Sequence, residues 1–354
     1  IVVGASDEMP APPGKRPPAV LFGVVVLVLG LLWGLGKVAP EAEDLVPVTV
    51  RLVGSSAVEV EPRLYEVSAS GVSETRLPDL MKAQFDRSGR LLAGIAPSEA
   101  ARGGILSVGP PEGPFEPLTD GVRSFAWHDR RPGSLAYVSP WGPVGLLNTW
   151  EEGVRSRERA IEGGLMHRFG DWGYAVTQPG PIRRADLYDA SGRFDQRVTG
   201  YSAGIGPGDY LVFTAQAPGR SLERAGTEAF GYTPEGEPFD VPWLQEGQLP
   251  YAIEAAPDGR RYAVHLGGAY ETGLGEVLVT RPDGSIEAKI PRAAIPAASA
   301  WSRNGRYLAV ARRDPAGELE IGFYDLENQT LDVAPVPEIP SSVVVWDIAV
   351  PGSD

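Results

Sequence analysis

Gly200-Tyr201-Ser202-Ala203-Gly204 has the G-x-S-x-G spacing of a nucleophile elbow, the sharp bend that presents a catalytic serine. An elbow needs a strand before the serine and a helix after it, with an acid and then a histidine further along the chain. Here Gly206-Pro207-Gly208 follows, then an extended run from Tyr210 to Thr214, and proline between glycines denies the helix its first turn. Ser202 therefore reads as a turn residue, and His265 downstream reads as part of a strand, Tyr262–Leu266. The three histidines, His128, His167 and His265, fall in separate segments without the HxxxH or HExxH spacing that places two imidazoles on one metal. His128 next to Asp129 reads as a hydrogen-bonded turn. The chain contains no cysteine, which removes thiolate chemistry, cysteine-ligated zinc and iron–sulfur clusters. Asp-rich turns occur, but none has the D-x-D-x-D-G order of a calcium loop. Gly204-Ile205-Gly206-Pro207-Gly208 is interrupted by proline where a dinucleotide loop needs free backbone N–H groups. Asn328-Gln329-Thr330 is a formal glycosylation sequon. No catalytic, metal or cofactor-binding residue is expected, and the chain reads as a non-enzyme.

The elements around these residues divide into two kinds. From Ala19 to Gly36 the chain is apolar throughout and no charge occurs between Arg16 and Lys37. Eighteen residues make roughly 27 Å of helix, enough for the hydrocarbon core of a bilayer. The run exceeds the apolar core of a cleavable leader, and no small-residue cleavage site follows it. Lys15 and Arg16 precede it, whereas Glu41, Glu43 and Asp44 come soon after, which predicts an inside N-terminus. The expected layout is a Pro-rich cytoplasmic tail (1–18), a transmembrane helix (19–37), a linker (38–45) and an external domain (46–354) facing the periplasm or the cell exterior. Gly23, Gly30 and Gly34 share one face of that helix and form a helix-packing candidate.

Beyond the linker two turn signals alternate. One joins short apolar runs through Asp86-Arg87-Ser88-Gly89, Ala256-Pro257-Asp258-Gly259 and Ser302-Arg303-Asn304-Gly305, with weaker copies near Gly133, Gly173 and Gly208. The other ends in Gly71, Gly113, Gly153, Gly192, Gly236 and Gly284, and recurs in degenerate form at Leu326-Glu327-Asn328-Gln329. Gly turns between β-branched or aromatic runs are hairpin signals. A period of 40–50 residues with four short strands is the mark of propeller blades, each a small sheet that buries its faces only against its neighbours. The expected fold is an all-β, seven-bladed β-propeller, with six blades as the alternative. One C-terminal strand (Ser342–Ile348) joins three N-terminal strands (Val46–Val53, Val58–Val67, Val72–Leu77) to complete a blade.

Ala256–Val264 and Trp301–Val310 resemble the W-S-P-D-G-R-x-[LI]-A-[FV] element of TolB-like and WD-repeat-like bacterial propellers, and the likeness extends in weaker form over most of 46–354. The resemblance implies a fold and little about activity.

Trp127, Trp172, Trp301 and Trp346 recur at equivalent repeat positions and read as packing between blades. Trp141, Trp150 and Trp243 lie in Pro/Gly-flanked contexts and are partner-contact candidates. The formal charge of −14 repels nucleic acid and anionic headgroups but suits a basic soluble partner. The expected role is that of an accessory or scaffold subunit of an inner-membrane complex. Its integral-membrane partners would be held through the glycine face and the propeller. The alternatives are a ligand-binding receptor or sensor and, behind it, a propeller hydrolase or lyase. A ligand-sized polar pocket at the channel mouth would favour the receptor, and three or more ionisable residues converging on the channel axis would favour the enzyme.

Overall fold

A computed structural model describes residues 46–351, except 57–60, 78–79, 81, 99–102, 141, 152, 179–183, 200, 207–210, 217–226, 233–237, 242–243, 245–249, 268–273 and 295–298. The apolar stretch 19–37, with Gly23, Gly30 and Gly34, lies outside the described residues, as do Trp141 and Trp243. No helix among the described residues is long and apolar enough to cross a membrane.

Every described element is a strand. The chain runs through β1 (Val50–Ser56), β2 (Arg63–Ser68) and β3 (Gly71–Arg76), then β4 (Lys82–Phe85), β5 (Leu92–Ala96), β6 (Gly104–Gly109) and β7 (Glu116–Val122). Next come β8 (Phe125–Trp127), β9 (Ser134–Ser139), β10 (Val144–Glu151), β11 (Val154–Glu162), β12 (Leu165–Gly170), β13 (Gly173–Gln178), β14 (Arg184–Tyr188) and β15 (Phe194–Thr199). The second half holds β16 (Tyr201–Ile205), β17 (Leu211–Gln216), β18 (Thr227–Tyr232), β19 (Pro238–Asp240), β20 (Pro250–Ala255), β21 (Tyr262–Leu266), β22 (Leu274–Thr280) and β23 (Ile286–Ala294). It ends with β24 (Ser299–Trp301), β25 (Tyr307–Arg313), β26 (Leu319–Asp325), β27 (Thr330–Pro335) and β28 (Val343–Ala349).

Four sheets are antiparallel meanders of four consecutive strands, β4–β7, β8–β11, β12–β15 and β16–β19. β20–β23 and β24–β27 repeat the pattern and join through a single pair, Ala293 opposite Arg312. The remaining sheet has the order β28-β1-β2-β3, so the last strand lies on the first, with Leu52 opposite Ile348. This is the expected division of one C-terminal and three N-terminal strands. β1 starts later than the sequence indicates, at Val50, where its pairing with Val67 of β2 begins.

Both turn signals form hairpins. At the first, Asp86 N–H donates to Leu91 O, Ala256 N–H to Arg261 O and Ser302 N–H to Tyr307 O, all at 2.8–2.9 Å. At the second, Asp189 pairs with Arg193 and Arg281 with Ser285 in the same way. Gln329 takes the place of the usual glycine in its turn, at φ 54°.

Apolar side chains alternate along the strands and fill the seams between consecutive sheets. Phe125, Leu135, Tyr137 and Trp150 pack on Ala93, Ile95, Leu106 and Val108, while Phe323 and Ile321 pack with Leu52, Val345 and Ile348 across the closing seam. Full burial of one such side chain is worth about 2–3 kcal/mol against exposure. Trp150 is therefore corrected from a surface candidate to a core residue. β10 continues through it, turning it inward at 8% exposure and edge-on to Trp127, ring centres 6.4 Å apart. Trp301 belongs to the seam between β20–β23 and β24–β27, and Trp127 and Trp346 pack against two others, as expected from their recurrence.

Candidate functional site

Seven strands lead their sheets: β4, β8, β12, β16, β20, β24 and, in the closing sheet, β28. Each has a ladder partner within its own sheet on one edge only. They follow one another round a closed circuit. β28 touches β4, β8 touches β12, β12 touches β16, β16 touches β20, and β24 touches β28. The two remaining steps are bridged by indoles: Trp127 Nε1 donates to Gln84 O at 2.9 Å, and Trp301 Nε1 to Glu254 O at 3.2 Å. Leading strands are largely apolar, but several carry one charged residue: Lys82 in β4, Arg168 in β12, Glu254 in β20 and Asp347 in β28.

The circuit is spanned at the C-terminal ends of these strands. Arg87, just past β4, donates to Asp129 O in the neighbouring sheet and to Ala255 O at the end of β20, three sheets away in one direction and four in the other. The interior at that level is thus no wider than an arginine can cross. Asp129 accepts from Trp172 Nε1 at 3.3 Å, and Asp347 Oδ2 accepts from Phe85 N–H at 2.6 Å, tying β28 to β4.

Burial without a full set of partners displaces the titrations. It pushes Glu254 up to about 7, helped by Asp129 and opposed by Arg168 and Arg87. Burial likewise takes Asp347 to about 8, with the Phe85 N–H pulling back and Glu254 pushing further. Asp129 is raised by burial against the pull of Arg168 and Arg87, and Lys82 is lowered by burial. At neutral pH the lining is consequently poorer in anions than its composition implies.

A second group lies beside Glu254. The Tyr251 ring stands edge-on to His265, centres 5.6 Å apart, and Ser299 Oγ sits 2.9 Å from His265 Nε2. His265 is 2% exposed, and burial, reinforced by Arg168, lowers it to about 3, so it is neutral. Arg168 Nε, Tyr251 OH and His265 Nδ1 are buried without a hydrogen-bond partner among the described residues. At the N-terminal ends of the leading strands, Lys82 and Leu165 line a cavity of about 510 Å³ with Ile95, Gly104, Val122 and Arg123.

The residues singled out in the sequence fall elsewhere. Ser202 lies within β16 opposite Phe213, in a strand and not in a turn or on an elbow. His128 Nδ1 accepts the backbone N–H groups of Arg130 and Arg131 at 3.0 Å, while Nε2 faces Arg131 Nε at 2.9 Å and Asp171 Oδ1 at 3.3 Å. It is 1% exposed, and burial followed by Arg131 lowers it to about 4. His167 lies in β12. No group of three or more His, Asp or Glu is placed to hold a metal among the described residues. Sequence reasoning used Arg87, Asp129 and Asp347 only as turn or strand markers and passed over Lys82, Arg168, Tyr251 and Glu254. The available signal was a lone charge inside the apolar first strand of several repeats.

No protein-family model and no curated protein sequence matches the chain. Among solved structures it is similar to the β-propeller domain of the trilobed protease from Pyrococcus furiosus, which is described as having an open velcro topology. That likeness has a TM-score of 0.56 at 12% identity over 82% of this chain and 96% of that one. It is also similar to prolyl oligopeptidase B from Galerina marginata, TM-score 0.50 at 9% identity, over 92% of this chain and 57% of that one. The chain spans about half the length of the prolyl peptidases it matches, 53% in a prolyl endopeptidase structure. At these identities the likeness establishes a β-propeller fold.

Proposed function

We propose that residues 46–354 form a seven-bladed propeller that works by binding a small ligand inside the ring of leading strands. One observation carries this reading: charged side chains from separate sheets (Lys82, Arg87, Arg168, Glu254 and Asp347) gather along the leading strands. Binding sites are concave and hold a few convergent polar groups within apolar walls. The Arg87 bridge supplies a floor, and the cavity beside Lys82 lies toward the opposite end. The seven blades are supported by the circuit of leading strands and by the pairing of β28 with β1. On the sequence, 19–37 tethers this domain to the membrane with the propeller outside, which makes it a receptor or carrier at the envelope surface.

The scaffold reading rests on the glycine face of 19–37. Catalysis is the weakest reading: among the described residues the converging groups contain no activated nucleophile, and Ser299, whose hydroxyl lies 2.9 Å from His265 Nε2, is 3% exposed next to an imidazole that stays neutral. Native mass spectrometry of the full chain purified from its own membranes tests the choice. A small-molecule adduct that disappears in Arg168→Met is the expected result. Adducts with protein subunits alone, identical in the variant, would establish the scaffold in its place.

A further inference from the structure

Several arginines outside the circuit are paired with carboxylates. Arg51 meets Glu66 and Glu112, Arg197 meets Asp186 and Glu162, and Arg261 meets Glu287, each within 2.5–2.8 Å. The cations of the circuit differ. Lys82, Arg87 and Arg168 have no carboxylate within ion-pair distance among the described residues; Arg87 is spent on two backbone carbonyls, and Arg168 Nε is buried without a hydrogen-bond partner there. A half-buried guanidinium with its Nε wholly covered and unpartnered is costly, because a buried polar group left unsatisfied forfeits its hydration, and a charged one forfeits more. Tyr251 OH adds a second unspent donor, and His265 with Ser299 forms a fully buried wall behind it. Arg168 Nε can only donate and belongs to a charged group, Tyr251 OH can donate, and the third unpartnered atom, His265 Nδ1, donates or accepts according to its tautomer. The partner they lack is an acceptor with negative charge.

Resting on the ligand-binding reading above, we infer that the ring interior beside Arg168 and Tyr251 binds a small oxyanion, a carboxylate or a phosphate group. The guanidinium of Arg168 matches the paired oxygens of such a group. Glu254 faces Arg87 and Arg168 as cations, Asp129 and Asp347 as acids, and Tyr251 from its own strand. An anion arriving beside it adds negative charge and so favours the protonated carboxyl, which can donate to the ligand. Glu254 titrates near neutrality, so binding takes up a proton and weakens as pH rises through that range. The charge contrast with the −14 chain is what lets the ring select an anion that the outer surface repels.

The test is calorimetric titration of the full chain in detergent with succinate, acetate and inorganic phosphate. Methylammonium and glucose serve as controls, all at fixed ionic strength and at pH 6.5 and 8.5. The expected result is saturable binding of at least one oxyanion, about tenfold tighter at pH 6.5. Arg168→Met should abolish it, Tyr251→Phe should weaken it several-fold, and Glu254→Gln should keep it while removing the pH dependence. If Arg168→Met fails to fold, Tyr251→Phe and Glu254→Gln carry the test. Oxyanion binding indifferent to all three variants would overturn the inference. Binding of glucose or methylammonium that Tyr251→Phe weakens, with no oxyanion bound, would reject the anion yet leave a ligand-binding ring. No binding by any probe, with a more stable Arg168→Met protein, would reject both and leave a hydrated structural network.

Discussion

Asp347 and Glu254 each cost the folded state something when they ionise. Their folded values, about 8 and about 7, lie above the value near 4 of an unfolded carboxyl. Between these limits the native chain holds protons that the unfolded chain has released, so stability falls as pH rises from about 4 to about 8 and then levels. His128 and His265, lowered by burial to about 4 and about 3 from an unfolded value near 6.5, act in the opposite sense up to about pH 6.5, and Asp189, Asp283 and Asp325, lowered by hydrogen bonds, do so at more acid pH. The two effects offset each other below about pH 6.5, so the melting temperature of the full chain should drop mainly between pH 6.5 and 8. In the double variant Glu254→Gln/Asp347→Asn that drop should largely vanish. The amides imitate the protonated acids, and the asparagine side chain keeps an oxygen to accept Phe85 N–H. A melting profile with the same slope in wild type and variant would disprove this account. At this scale the sequence was misleading about Trp150, since neighbouring Gly153 marked a real turn three residues too late to expose it.

The hairpins are where local chemistry and packing separate most cleanly. Gly71 joins β2 to β3 at φ 116° and Gly173 opens β13 at φ 126°, so an L side chain is strained at either. A Cβ at Gly71 would meet nothing within 4 Å, whereas at Gly173 it would stand 2.0 Å from Tyr188 O. Gly71→Ala should cost only the backbone strain, about 1–2 kcal/mol. Gly173→Ala must also displace β14 and should cost about 4 kcal/mol or more, beyond the usual range for a single substitution. Urea unfolding measures both, and equal midpoints would show that the close approach to β14 is absent. The turns themselves were legible, since Asp-x-x-Gly chemistry is local. The leading strands were less so: β8 and β24 have three residues each, too few for a period to register.

The ring depends on its two ends. β28 seats on β1 through six registered pairs across nearly the whole chain, and Val343, Val345 and Ile348 complete a core with Leu52, Ile321 and Phe323. Truncation after residue 342 strips β1 of a partner, opens that core and removes Asp347 from Phe85. The shortened chain should lose its single sharp unfolding transition in tryptophan fluorescence and become prone to pairing at the exposed β1 edge. A truncated chain with the full-length midpoint would mean that closure contributes nothing.

Residue order alone determined the repeat, the antiparallel hairpins and the sharing of one sheet between the chain ends. Each depends on turn residues and on alternation within a few positions, or on counting strands. Only the folded ring decided which charges meet. Lys82, Arg87, Arg168, Glu254 and Asp347 are spread over 266 positions, and no local rule brings them together. Ring closure turns the leading strands inward, and the narrow interior then withdraws their charges from water.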